Sequence, residues 1–141
     1  MQYQEFNKQW DDLLQQQEQQ DQQATKALED KHIRELEENR QMLEQSLPLT
    51  FKHSAELLNM QKIEQQLAKA KEYAEAHQVQ VKANEMMQDE REKYIQQRHK
   101  KIVAAEAKLI QKQQNEMSAL RKKIDTTMNG KLKQREQDHN K

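Results

Sequence analysis

Gly130 and Pro48 are the only glycine and proline in this chain of 141 residues, so very little in it can reverse the backbone sharply. A compact fold of many short elements needs several tight connections. A few long helices remain. Hydrophobic residues make up 33% and aromatics 4%, against 34% charged, which is too little for a broad core and enough for a narrow apolar stripe. Such a stripe must be covered by a partner helix, so the fold class expected is all-α, a coiled coil. The 25 glutamines would equally suit a disordered chain, and hydrophobic periodicity has to decide between the two.

The periodicity favours helix. A first coiled-coil helix is expected over residues 1–45, where Phe6, Trp10, Leu13, Leu14, Ala24, Leu28, Ile33, Leu36 and Leu43 return mostly to one face. Its weakest stretch is the glutamine tract at 15–23, which glutamine's good helix propensity can still carry. Residues 46–53 form a proline-containing turn, since Pro48 lacks a backbone donor and biases Leu47 away from helical angles. Ser54 then stands where a helix N-cap belongs, opening a long second coiled-coil helix over 54–141. Met60, Ile63, Leu67, Ala70 and Ala74 step along it at heptad spacing, as do Ile95, Ile102, Ala105 and Leu109. Gln113, Met117, Leu120, Ile124 and Met128 follow after a four-residue stutter. Asn129–Gly130 is a candidate break, although the helix-compatible run KLKQREQDHNK beyond it favours a tolerated glycine.

If the chain folds back at Leu49 and Thr50, the two helices form an antiparallel hairpin whose partner residue numbers add to about 99. Phe6, Trp10 and Leu13 then arrive beside Met86, Met87 and Tyr94, an aromatic and methionine clamp at the open end of the hairpin. By the same register the second helix overhangs by some forty residues, about 60 Å. Its stripe of Ile102, Leu109, Met117, Leu120 and Ile124 would be left without an intramolecular partner and become an oligomer seam, most simply that of a homodimer. Parallel and antiparallel dimers both remain open. The pattern runs to Lys141 without a closing cap, so the chain is expected to be a segment of a longer coiled-coil protein.

A net charge of zero conceals a gradient. Residues 1–46 hold 5 basic and 11 acidic side chains, whereas 98–141 hold 12 and 5. The basic face comprises Arg98, Lys101, Lys108, Lys112, Arg121 and Lys122. Three readings of it stand side by side: a solvated face, attraction between the acidic and basic arms of different molecules, and docking on an acidic polymer such as a microtubule surface. Nucleic acid is disfavoured because no aromatic follows Tyr94 to stack on bases.

Catalysis and cofactors are not expected. His32, His53, His77, His99 and His139 are widely spaced, no two of them four residues apart as a helix-borne pair of metal ligands would be, so no metal site is expected. One glycine cannot build a phosphate-cradling loop, and no cysteine is present for a disulfide or a thiolate site. No apolar run approaches the length of a membrane span, so a soluble, cytoplasmic chain is expected, with no small-molecule substrate.

The segment FKHSAELLNMQKIEQQLAKAKEYAEAHQVQ, together with REKYIQQRHKKI and KLIQKQQNEMSALRKKI downstream, resembles long coiled-coil proteins of the ciliate and other protist cytoskeletons over residues 51–125. The resemblance implies a scaffold at a cilium, basal body or related cytoskeletal structure, with other coiled-coil or cytoskeletal proteins as partners. The expected function is a structural coiled-coil module. An adaptor or tether that presents a helical face to a different protein, as in trafficking or motor-cargo complexes, is the alternative.

Overall fold

The structure is a computed structural model that describes residues 2–140, with only the backbone of Gln2. It is all-helical: α1 spans Gln2–Ser46, α2 Ala55–Lys69 and α3 Tyr73–His139, and no strand occurs among the described residues. These helices build two compact units, the first from Met1–Arg40 with Glu106–Lys141, the second from Gln41–Ala105.

In the first unit α1 lies antiparallel to the C-terminal part of α3. Arg40 meets Glu106, His32 meets Glu116, Gln17 meets Lys131 and Asp11 meets Arg135, so each step down α1 is answered by a comparable step up α3. The covered face of α1 runs through Phe6, Trp10, Leu14, Gln17, Asp21, Thr25, Leu28, His32, Leu36 and Asn39. This spacing of three and four is that of one helical stripe, but its middle is polar. Continuity through the glutamine tract follows from propensity and local bonds. Gln17 Nε2 donates to Asp21 Oδ1 at 2.9 Å, and Thr25 Oγ1 donates to the Asp21 carbonyl at 2.8 Å. On α3 the matching face is Leu109, Gln113, Glu116, Met117, Leu120, Ile124, Thr127, Met128, Lys131 and Arg135. The helix passes through Gly130 with no positive φ.

In the second unit α1 ends at Ser46, one residue before the Leu47–Pro48 step that helical geometry disfavours. The irregular segment that follows is laid along α3. Arg98 Nε donates to the Leu47 carbonyl at 2.6 Å, the Tyr94 hydroxyl donates to the Pro48 carbonyl, and Leu49, Thr50, Phe51 and His53 share a groove with Met87, Gln88 and Arg91. Ser54, extended at φ −65° and ψ 158°, then caps α2 by accepting the Leu57 amide at 3.1 Å. Leu57, Met60, Gln61, Glu64 and Leu67 form the covered face of α2, and Ala76, Val79, Ala83, Met86 and Met87 that of the opening turns of α3. Leu57 is 0% exposed and, with Ala76 and Ala83, forms the buried apolar core.

The reversal between α2 and α3 comes at residues 70–72, within a run that has neither glycine nor proline. The Glu72 amide donates to the Leu67 carbonyl at 3.0 Å and the Lys71 amide to the Ala68 carbonyl at 3.1 Å, which is the Schellman pattern of helix termination. Lys71 occupies its left-handed position at φ 63°, where glycine is usual because a Cβ there costs about 1–2 kcal/mol. Lys71→Gly should therefore raise stability by about 1 kcal/mol, read as a higher midpoint in urea, whereas Lys71→Ala should not. An unchanged midpoint in the glycine variant would show that the turn carries no strain.

Four expectations are corrected by these contacts. The proline segment 46–53 is not the corner of a hairpin: proline halts the helix there, the segment runs along α3, and the chain reverses at 70–72, where Lys71 takes the left-handed position. Helix is accordingly interrupted at 70–72 rather than running unbroken over 54–141. Partner numbers in the first unit add to about 145 instead of about 99. No stripe overhangs, because Leu109, Met117, Leu120 and Ile124 lie on the α3 face that α1 covers. Electrostatics favours this register. The α1 part of the first unit has 5 basic and 10 acidic residues and the α3 part 9 and 5, so the charge gradient is used within the unit.

Candidate functional site

The stripe between α1 and α3 holds a polar cluster halfway along the first unit. His32 is only 8% exposed, and its Nε2 lies 3.3 Å from Oε2 of Glu116. Gln113, also buried, donates from Nε2 to the His32 backbone carbonyl at 2.8 Å. Glu35 stands one turn beyond His32, and its Oε1 is fully buried with no hydrogen-bond partner. One donor atom from each of His32, Glu35 and Glu116 falls within 4.8 Å of the other two. Local geometry explains the convergence: positions three apart share a helix face, so His32 pairs with Glu35 on α1 and Gln113 with Glu116 on α3. The antiparallel register then sets the two pairs against each other. A buried carboxylate oxygen without a partner is costly, and the Asn39 amide nitrogen on the same face of α1 is buried without one too.

The hairpin clamp is divided between the units. Phe6 lies 6.4 Å from the Trp10 ring and 5.7 Å from the imidazole of His139, which also stands 5.6 Å from Tyr3. Trp10 and Leu13 border a groove with Thr126, Thr127, Gly130, Lys131 and Gln134, and Leu13 remains 48% exposed. Met86, Met87 and Tyr94 belong to the second unit, where Tyr94 packs on Phe51 at 6.0 Å. The aromatic and methionine residues are thus in use, but as two clusters, each serving its own unit. The common cause is the register.

The seam residues are half-buried. Leu109, Met117, Leu120 and Ile124 face α1, and Ile102 is in the second unit. Of the basic face, Lys101, Lys108, Lys112, Arg121 and Lys122 are exposed, whereas Arg98 is half-buried and spends its guanidinium on the Leu47 carbonyl. Arg135, outside the expected face, contacts Asp11 at 3.0 Å and Asn7 at 3.2 Å.

Sequence reasoning missed His32, Glu35, Gln113 and Glu116. It sought two histidines on one helix, and this donor set is assembled across two. A detectable signal did exist: His32 and Glu35 stand three apart, the spacing that puts both on one helix face. Glu116 could be joined to them only once the register was known. No protein-family model, curated protein or solved structure matches the chain.

Proposed function

We propose that the chain is a structural coiled-coil module that self-associates and binds other helices, serving as a scaffold rather than a catalyst. The observation that carries this reading is the apolar surface that the second unit leaves exposed on its helices. Helices packed two deep bury one stripe each and leave the opposite flanks to water. In the second unit those flanks are apolar in places. Val81, Ile95 and Val103 on α3 are 42%, 48% and 49% exposed at heptad-like intervals, and Leu58 and Ile63 are exposed on α2. A second copy laid along this flank would cover them as a further coiled-coil layer.

Light scattering coupled to sizing at micromolar concentration tests the reading. A dimer or larger species is expected, and Val81→Lys with Ile95→Lys should return it to monomer at unchanged helix content. A monomeric parent chain would sink self-association. The adaptor reading is favoured by one observation, that Lys108 and Lys112 lie one turn apart, exposed and without an ion pair among the described residues. They are free to meet an acidic helix of another protein. A cytoskeletal setting rests on the resemblance of residues 51–125, and among the described residues no helix is long and apolar enough to cross a membrane.

A further inference from the structure

We propose that His32, Glu35 and Glu116 form a divalent-cation site, best suited to zinc, that ties α1 to α3 within the first unit. Three donor atoms from two helices converge within 4.8 Å, each from a side chain able to ligate. Glu35 Oε1 is the independent pointer. It is buried with no hydrogen-bond partner, a state that a carboxylate avoids unless a proton or a cation joins it.

Zinc answers the donor set. It takes imidazole nitrogen and carboxylate oxygen at about 2.0–2.2 Å, and three protein ligands with one open position is an established arrangement for it. Calcium and magnesium prefer all-oxygen shells, which an imidazole spoils. The geometry agrees. Bonds of about 2.05 Å at tetrahedral angles place neighbouring donors about 3.3 Å apart, and His32 Nε2 and Glu116 Oε2 already stand at 3.3 Å. The third donor, from Glu35, lies within 4.8 Å of the other two. Gln113 anchors the arrangement from α3 by gripping the backbone of the turn that carries His32.

The test is titration of the full chain with zinc chloride by calorimetry in a non-chelating buffer, with cobalt absorption as a second probe. One ion per chain is expected at micromolar affinity, together with a rise in Tm of about 5 °C or more at saturation. Glu35→Gln and Glu116→Gln preserve shape while weakening the donors, and each should lower affinity tenfold or more. Glu37→Gln and His99→Asn, both exposed and outside the cluster, should leave it unchanged. Because a variant could disturb folding, X-ray absorption of the zinc-loaded parent chain provides a separate measure. A shell of one imidazole nitrogen with oxygen neighbours supports the site, and a shell lacking imidazole overturns it. Affinity no tighter than millimolar overturns it too, as does equal affinity in Glu35→Gln. If Glu35→Gln stabilises the chain while the parent binds no zinc, a buried proton rather than a metal satisfies the carboxylate and the proposal fails.

Discussion

Leu57→Ala is expected to cost about 3 kcal/mol of stability, the largest effect of any single substitution in the second unit. Leu57 is the one large side chain among the described residues that is wholly buried. Removing it should cost the transfer term for the missing carbons and a cavity term besides. Urea unfolding followed by circular dichroism measures it. Leu58→Ala provides the contrast: that side chain is 53% exposed and should cost well under 1 kcal/mol. Equal losses at the two positions would mean that α2 does not hold Leu57 as described.

The second large effect is expected at Tyr94. Its hydroxyl donates to the Pro48 carbonyl and its ring lies 6.0 Å from that of Phe51 at an interplanar angle of 32°, so one side chain pins two points of the irregular segment. Tyr94→Ala removes both interactions and should cost about 2 kcal/mol, while Tyr94→Phe removes only the hydrogen bond and should cost about 1 kcal/mol. The contact from Arg98 to Leu47 remains in both variants. Amide hydrogen exchange over residues 47–53 should accelerate in the alanine variant and change little in the phenylalanine one. Unchanged exchange in both would show that Arg98 alone holds the segment.

The features legible in the sequence share a physical basis, which is that their chemistry is local. Pro48 ends a helix because of its own ring, and Ser54 can cap the next because its hydroxyl reaches an amide three residues ahead. Lys71 shows the converse. Nothing in AKAKEY signals a turn, and a lysine adopts the left-handed position there because the packing of α2 and α3 requires a reversal and the Schellman bonds help to hold it. Tertiary demand overrode propensity at a local cost.

Register was the quantity that local reasoning could not reach. A stripe of spacing three and four fits an equivalent stripe at many offsets, and the polar middle of α1, with Gln17, Asp21, Thr25 and His32 on the covered face, weakened the apolar signal further. Charge carried the missing information: an acidic α1 and a basic C-terminal part of α3 are complementary at the observed offset. From that one quantity follow the divided clamp, the covered stripe of Leu109 to Ile124, and the meeting of His32, Glu35 and Glu116.

By itself the sequence determined that this chain is helical, since one glycine and one proline leave few means of turning, and it marked the break at Pro48. The tertiary structure alone decided where the chain reverses and which residues meet. Helix formation is settled by residues within a turn or two of one another, whereas pairing between segments eighty or more residues apart depends on the summed fit of two whole faces.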